Sequence, residues 1–419
     1  MQKAVFTIKT ILKTIYEDIL IIIKWVLLAL ITGAVTGLVG GLFHMAIDSV
    51  TKIRTENGWI ILLLPLAGVV IAMLYRLSKH PLTTNMVIEG TNAGKSVSFL
   101  LAPFIFISAV ITHLFGGSVG REGAALQIGG GLGATIGHIL RVSKKNLRTM
   151  VVCGMAGAFS AIFTTPVTAA VFAVEVASIG KIHYFELLPA IISSLIAFIV
   201  TKTLGNHILS YQIAIPEITL TASAQVIILA LLTALVGILF CVTLHKTEKL
   251  MHKVFKKDWI IAIGGGVILV LMTMVIGNQD YNGAGMSIIN NALAGKAVAY
   301  AFILKLLFTA VSVGAGFKGG EIVPAFFIGA TFGVTASMLL GIDPGFGAAI
   351  GMVCMFCSIT NCFLASVILG AELFGAEGIL FFAIACVISN VISGDFGLYS
   401  KQKLVYSRFG TDKINTYTH

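Results

Sequence analysis

Residues 115–133 read FGGSVGREGAALQIGGGLG, and residues 315–333 read AGFKGGEIVPAFFIGATFG. A second pair of stretches, GMAGAFSAIFTTPVTAAVFAVE (154–175) and GMVCMFCSITNCFLASVILGAE (351–372), follows in the same order at nearly the same offset. The matching glycines of the first pair are Gly116/Gly316, Gly120/Gly320, Gly129/Gly329 and Gly133/Gly333. Two alignments in register indicate an internal duplication. In membrane proteins built from two repeats, glycine-interrupted apolar segments at corresponding positions mark the binding site at the repeat interface.

The composition is that of a membrane protein. Hydrophobic residues make up 57% of the 419 residues and charged residues 11%, whereas a soluble domain carries about 25% charged residues. The apolar excess therefore faces lipid, and a helix needs about 20 apolar residues to cross a bilayer. Predicted spans lie near residues 20–50, 57–77, 97–115, 148–180, 183–206, 223–245, 258–277, 297–316, 321–341, 345–375 and 378–394. The longer ones indicate tilted spans, or pairs of short helices that each cross part of the way.

Basic residues lie between the apolar runs, in a chain of formal net charge +10. They form the groups Arg76 and Lys79; Arg141, Lys144, Lys145 and Arg148; Lys246, Lys249, Lys253, Lys256 and Lys257; and Lys401, Lys403 and Arg408. The positive-inside rule assigns such loops to the cytoplasm, and Lys3, Lys9 and Lys13 place the N-terminus there as well. We therefore expect a multi-pass protein of the plasma (inner) membrane with both termini cytoplasmic, and no nucleic-acid partner.

No long polar linker divides the chain. We expect a single membrane domain over residues 1–419, with a first repeat at about 20–206, a second at about 223–409 and no cytoplasmic regulatory domain. HExxH is missing from the sequence, and Gly94-Lys95-Ser96 lacks the upstream glycine of a P-loop. Cys354 and Cys357 form a C-x-x-C inside an apolar segment without a second pair, which favours packing over zinc or redox chemistry. These patterns predict no cofactor and no metal.

Four carboxylates lie inside apolar segments: Glu122, Glu175, Glu321 and Glu372. An ionised side chain at the bilayer centre costs about 2.5–3.5 kcal/mol on insertion scales, so each needs a reason to be there. The glycines around Glu122 predict a chain break and then a helix start, whose free N–H groups attract anions. A carboxylate there can occupy the anion site itself; the alternative is a structural salt bridge, for example to Arg121. Glu321 precedes a second helix start at Pro324, where it either functions or balances the helix dipole with Lys318.

Other buried polar residues carry weaker signals. Glu175 and Glu372 end matching segments, and their symmetry favours paired structural roles, bonding to free backbone groups near helix ends. His113 is interpreted as a packed, hydrogen-bonded residue rather than a proton relay. Tyr399 offers a neutral O–H donor that can hold an anion, although an interfacial anchor is the commoner role of a tyrosine.

The segments GREG (120–123), GGEIVP (319–324) and GLYS (397–400) resemble the signature segments of the CLC family of chloride channels and proton-coupled halide antiporters. The resemblance implies an all-α polytopic membrane protein of CLC-type fold, with two inverted repeats of short tilted helices, assembled as a homodimer with one pore per subunit. It implies that Glu122 is the gating and proton-coupling glutamate. It also implies that backbone amides at Glu321 and Ile322 and the hydroxyl of Tyr399 hold the anion. The anion-binding residues expected from it are Thr83, Thr84, Asn85, Gly120, Arg121, Gly123, Gly320, Ile322, Val323 and Tyr399.

Departures from the family pattern refine this expectation. Ala124 replaces the usual proline, PLTTNMVIEG (81–90) is a degenerate first signature, and Val176 stands where chloride antiporters carry an internal proton-pathway glutamate. Glu321 in the third signature resembles the fluoride–proton antiporter branch and is a candidate second proton acceptor, although Val323 stands where that branch has threonine. We expect fluoride/proton antiport, with a passive or proton-coupled chloride transporter as the alternative. An intramembrane enzyme using Glu122 and Glu321 as acid and base is the rival from another class.

Overall fold

The computed structural model describes residues 2–78, 82–93, 97–206, 210–406 and 413–418, without the side chains of 2–11, 92, 93, 406 and 415. Lys79, Arg408, Gly94-Lys95-Ser96 and the predicted end of the second repeat near 409 lie outside the described residues. The helices of the first half are α1 (Gln2–Glu56), α2 (Leu64–Arg76), α3 (Thr84–Ala93), α4 (Leu101–Phe115), α5 (Glu122–Ile139), α6 (Leu147–Phe163), α7 (Pro166–Glu175) and α8 (Tyr184–Thr203). Those of the second half are α9 (Leu220–Val254), α10 (Asp258–Ile276), α11 (Met286–Leu293), α12 (Ala301–Gly314), α13 (Ile322–Leu340), α14 (Pro344–Thr360), α15 (Phe363–Phe374) and α16 (Ile379–Ser393). Two 3-10 turns, Gly58–Leu63 and Ala376–Gly378, lead into α2 and α16.

Within the described residues, seven helical segments are long and apolar enough to cross a membrane. They include most of α1 and the whole of α9, with shorter apolar helices between them. Large apolar side chains such as Leu38, Leu231 and Leu271 face outward, as lipid-facing residues do. The membrane class predicted from composition is therefore confirmed.

Two predicted single spans are each a pair of helices. The stretch 148–180 breaks between α6 and α7, where Thr164 adopts a left-handed φ of 57°. The stretch 345–375 breaks between α14 and α15, where Asn361 has a φ of 59°. A left-handed residue ends a helix, and these two occupy corresponding places in the two halves. The prediction of paired short helices is thus correct, although the position of the breaks was not anticipated.

Helix α5 was absent from the predicted spans because six glycines in residues 122–139 interrupt its apolar pattern. The glycines serve packing against α6. A Cβ at Gly154 would overlap the carbonyl oxygen of Gly129, and in the second half a Cβ at Gly351 would overlap that of Gly329. Small residues let membrane helices approach closely. Both helices that begin at the glycine-rich segments are therefore wedged into the protein interior, and α3 and α11 are two further helices that the sequence did not indicate.

Reciprocal contacts join the two halves. Glu175, at the end of α7, accepts hydrogen bonds from Leu364 N at 3.2 Å and Ala365 N at 3.0 Å, at the start of α15. Glu372, near the end of α15, accepts from the N–H groups of residues 167 and 168, at the start of α7, at 3.0 and 2.8 Å. The first N–H groups of a helix have no partner within it, so each carboxylate completes the other helix. The structural role expected for this pair is confirmed.

A small sheet accompanies the helical membrane part. Strand β1 (Ser178–Ile179) pairs in parallel with β2 (Lys403–Tyr406), which pairs antiparallel with β3 (Lys413–Tyr417). The strands have two to five residues, too few for an alternating pattern to be recognised in the sequence. The sheet ties the C-terminal segment to the loop after α7, while the membrane part is helical as expected.

Candidate functional site

The two glycine-rich signature segments meet in the interior. Gly120 and Gly320 form an antiparallel bridge, with both N–H···O=C distances at 2.6 Å. A Cβ at Gly320 would overlap the backbone of Gly123, and one at Gly319 would overlap Val119. Glycine is required here because the two backbones touch. The bridge brings the start of α5 against the start of α13, as the expected convergence of the segments requires, and its antiparallel sense fits two halves related by a two-fold pseudo-axis.

Glu122 lies on the N-terminus of its own helix. The side chain is 2% exposed, and Oε2 accepts a hydrogen bond from Arg121 N at 2.9 Å. Arg121 Nε lies 3.5 Å from Oε1, and Arg121 Nη1 donates to Asp48 Oδ1 at 2.9 Å. Asp48 in turn lies 3.1 Å from His44 Nε2. Both interpretations of Glu122 thus describe real contacts: the carboxylate occupies a helix start, and the neighbouring arginine is held close to it.

Glu321 occupies the equivalent end of α13. Its Oε2 is buried and has no hydrogen-bond partner in the part of the chain that the structure describes. This oxygen lies 3.1 Å from the position that a Cβ of Gly123 would take, so the carboxylate points at the first turn of α5. The suggested ion pair with Lys318 is wrong: no such contact within 4 Å is present between these two described side chains, and Lys318 Nζ instead lies 4.6 Å from the ring centre of Tyr75. A cation over an aromatic face is a favourable alternative partner.

A cavity of about 280 Å³ extends from Glu321, and Tyr399 lies on its wall. Like Glu321 Oε2, the buried hydroxyl of Tyr399 finds no hydrogen-bond partner among the described residues. The region 83–85 lines the same cavity. Thr84 Oγ1 accepts from Gln127 Nε2 at 2.9 Å, and Asn85 Nδ2 donates to Ser400 Oγ at 3.1 Å. All three residues predicted in the degenerate first signature, Thr83, Thr84 and Asn85, therefore line the same cavity as Tyr399.

The backbone around Tyr399 is held by hydrogen bonds on both sides of the residue. Leu398 N donates to Ile359 O at 2.9 Å, at the end of α14. Thr418 Oγ1, just beyond β3, donates to Tyr399 O at 2.6 Å. The ring is 3% exposed, so this tyrosine is an interior residue rather than an interfacial anchor.

A much smaller cavity, of about 10 Å³, is lined by Glu122. That volume matches roughly one water-sized sphere. Arg121 and Val323, two of the predicted residues, line it together with Phe163 and Phe326. The remaining predicted residues, Gly120, Gly123, Gly320 and Ile322, are buried at the two helix starts and line neither cavity with their side chains. Glu122 thus lines the nearly closed cavity, whereas Glu321 lines the wide one.

Sequence reasoning missed several lining residues. Gln127 is the lone uncharged polar residue in the first two turns of α5, a signal that was available. Ser400 stood inside the quoted GLYS segment. Phe163 and Phe326 carried no signal, because aromatic residues are common throughout apolar helices. His113 packs as expected, with Nδ1 2.8 Å from Ala109 O. Among the described residues no cluster of three or more His, Cys, Asp or Glu side chains suits a metal ion.

The comparisons with known proteins agree with this geometry. Residues 83–394 match the profile of the voltage gated chloride channel family. The chain belongs to the CLC family. It is 32% identical to a chloride/fluoride channel protein of Pseudomonas syringae pv. tomato, over 92% of this chain and 88% of that protein. It is 26% identical to an H⁺/Cl⁻ exchange transporter of Vibrio parahaemolyticus, over 83% and 81% of the two chains.

Solved CLC structures share the fold. The structure of a CLC-type fluoride/proton antiporter matches with a TM-score of 0.88 and 30% sequence identity, over 90% of this chain and 97% of that one. A slow cyanobacterial Cl⁻/H⁺ antiporter matches with a TM-score of 0.73 at 18% identity, over 88% and 94%, which speaks for the fold alone. The CLC fold expected from the signature segments is therefore confirmed.

Proposed function

We propose that the protein is a fluoride/proton antiporter, in which an anion binds between the starts of α5 and α13 and Glu122 couples its movement to that of a proton. One observation carries the proposal. Two buried polar atoms without a partner in the described chain, Glu321 Oε2 and Tyr399 Oη, line one cavity at the converging helix starts. Buried polar groups are nearly always satisfied, so these two are suited to partners that come and go.

The anion is held by neutral donors. The N–H groups at the start of α13 and the hydroxyl of Tyr399 donate to it, and the helix dipoles favour negative charge at this point. Each hydrogen bond to a charged group contributes about 1.5–3 kcal/mol. Thr83, Thr84 and Asn85 add hydroxyl and amide groups on the path to the site. Binding by neutral donors lets a small anion enter without being trapped by a permanent opposite charge.

Glu122 competes with the anion for a helix start. As a carboxylate it takes the hydrogen bond from Arg121 N that an anion would otherwise accept. Once protonated it loses its negative charge, gives up that place and allows the anion to pass the narrow cavity. Each proton that Glu122 takes up therefore allows one anion to move past it in the opposite direction. Glu321, on the facing segment beyond the Gly120–Gly320 bridge, serves as the second proton acceptor in place of the glutamate that is replaced by Val176.

Fluoride is favoured over chloride by the third signature. Glu321 is a hydrogen-bonding group at the anion site, and fluoride is the halide that bonds hydrogen most strongly. The solved fluoride/proton antiporter with 30% identity supports the same choice. Chloride remains the alternative, because relatives at 26% identity are H⁺/Cl⁻ exchange transporters. Passive conduction of either anion is the second alternative, and neither requires enzymatic turnover.

The cellular setting completes the proposal. The protein works as a homodimer with one pore per subunit in the plasma membrane, with both termini in the cytoplasm. The basic groups around Arg141, Lys246 and Lys401 support this orientation by the positive-inside rule. In this orientation the wide cavity opens to the cytoplasm and the narrow one faces outward. The proton-motive force then drives fluoride out of the cell.

Transport by reconstituted protein tests the function. Proteoliposomes loaded with fluoride or chloride are diluted into anion-free buffer, and anion efflux and proton uptake are recorded together. We expect fluoride efflux to exceed chloride efflux and to drive protons inward against their gradient. Anion flux without proton movement would establish a channel instead. Glu122→Gln should abolish proton uptake; proton movement that persists in this variant would remove Glu122 from the mechanism.

A further inference from the structure

A second and larger cavity lies beside the anion cavity. It has a volume of about 420 Å³ and is enclosed by α2, the end of α9, the start of α10 and the segment after α12. A single water needs roughly 10–15 Å³ of such volume, so this cavity admits a continuous column of solvent. Its titratable lining residues are Tyr75, Arg76, Glu248, His252, Asp258 and Lys318.

The two cavities share a wall. Leu82, Thr83, Glu248, Val313 and Lys318 line both of them. Lys318 is fixed at this wall from two sides: its backbone N–H donates to Thr112 Oγ1 at 3.2 Å, and its ammonium lies over the ring of Tyr75. Glu248 is exposed, so its carboxylate is in contact with the space on either side. The wall therefore carries one cation, Lys318, and one carboxylate, Glu248. Lys318 precedes Glu321 by three residues in the chain.

The linings differ in chemistry away from this wall. Around Tyr399 the anion cavity presents the neutral groups of Thr84, Asn85, Gln127 and Ser400, and it also contains the titratable side chains of His245 and Glu321. The second cavity instead presents His252, Asp258 and Arg76 beyond the wall. Hydroxyl and amide groups hold an anion but do not relay protons readily near neutral pH, whereas imidazole and carboxylate groups do. The neutral surface around Tyr399 suits a halide, whereas Glu321, Glu248, Asp258 and His252 form a set of groups suited to a proton that extends from the anion cavity into the second cavity.

We propose that the second cavity is the cytoplasmic proton route of the antiporter, and that Glu248 exchanges protons with Glu321 across the wall that Lys318 stabilises. This inference rests on the proposed function. In the step, the carboxylic acid of Glu321 loses its proton and becomes a carboxylate, while the carboxylate of Glu248 gains the proton, through solvent in the shared space. Glu248 then releases it to His252 or to solvent. Lys318 remains an ammonium throughout.

Charge balance explains why a lysine stands between the two acids. Two carboxylates, one shared proton and one ammonium sum to zero net charge whichever acid holds the proton. Removing an uncompensated charge from water costs several kcal/mol, so a neutral group of three moves its proton at lower cost than an acid pair alone. The lysine acts through the two acids and is a positioning residue, whereas Glu248 takes part in the transfer.

Three variants and one control variant test the proposal in the proteoliposome assay. Glu248→Gln should lower proton flux by about 100-fold, the lower bound for loss of a positioned proton-transfer group, while fluoride efflux continues with fewer protons per anion. Glu377→Gln removes another exposed acid, on the 3-10 turn before α16, and serves as the matched control. Lys318→Met should act like Glu248→Gln, and Lys318→Arg should restore coupling because it keeps the charge.

The two histidines of α9 allow each cavity to be tested separately. His252 lines only the second cavity and His245 only the anion cavity. His252→Gln should lower the proton-to-fluoride ratio, whereas His245→Gln should change the apparent affinity for fluoride. The proposal is overturned if wild-type protein couples protons to fluoride while Glu248→Gln keeps the full ratio. It is also overturned if Glu248→Gln and His252→Gln lower fluoride affinity with an unchanged ratio, since the cavity would then carry the anion. A wild type that moves no protons would refute the proposed function instead.

Discussion

Replacement of Tyr399 by phenylalanine separates the proposed role of its hydroxyl from any structural one. The hydroxyl is buried and has no hydrogen-bond partner in the described chain, so Tyr399→Phe breaks no protein contact there. The hydroxyl faces a cavity of about 280 Å³, which has room for water, so the anion-free variant should be about as stable as the wild type. With fluoride the variant should be the less stable protein, because a hydrogen bond to a charged group contributing about 1.5–3 kcal/mol is lost.

This loss corresponds to a Kd for fluoride that is about 10- to 150-fold higher. Titration calorimetry of the purified protein measures the Kd, and thermal melting in fluoride-free buffer measures the stability. Tyr281→Phe is the control, since this tyrosine packs against Phe308 and Phe327 away from both cavities and should leave the Kd unchanged. If Tyr399→Phe lowers the melting temperature without anion, the hydroxyl has a protein partner. If its Kd equals that of the wild type, the hydroxyl does not touch the anion. Either result refutes the reasoning.

Three further predictions concern the frame around the site. Glu372→Gln leaves the N–H groups at the start of α7 with a neutral acceptor and should lower the free energy of unfolding by about 1–2 kcal/mol, read from melting in detergent; an unchanged melting temperature would contradict the bonding. Gly320→Ala forces a methyl group into the backbone of Gly123, which should stop fluoride efflux although the protein still reaches the membrane; normal efflux would mean that the bridge with Gly120 is dispensable. Phe163→Leu widens the cavity of about 10 Å³ beside Glu122, so fluoride should leak with fewer protons per anion, and a tighter ratio would argue against a closing role for this ring.

The site was more predictable than the helices around it. The glycines at 120 and 320 were identified because no helix propensity explains them, and the structure joins their backbones directly. The same property hid α5, since glycines used for close packing against α6 look like helix breakers in a sequence. The breaks at Thr164 and Asn361 were also invisible, because neither residue is the glycine that a left-handed position usually takes.

Contacts between side chains were harder to predict from the sequence than the positions of the helices. Lys318 and Glu321 are one helical turn apart in sequence, which suggested a pair, but the chain is not helical before Ile322 and the two side chains diverge. Gln127 needed only the observation that a polar residue stands in an apolar helix. The cavity around Glu248 and Lys318 forms because α2, α9 and α12 pack together. These helices are far apart in the sequence, and no sequence pattern indicates that they are in contact.

The crossed bonds of Glu175 and Glu372 have a consequence for the two halves as separate chains. Each half supplies the acceptors for helix-start amides of the other half, so a half expressed alone would leave those amide groups without their partner. Co-expression of the two halves as separate chains should reassemble these contacts, while either half alone should be degraded.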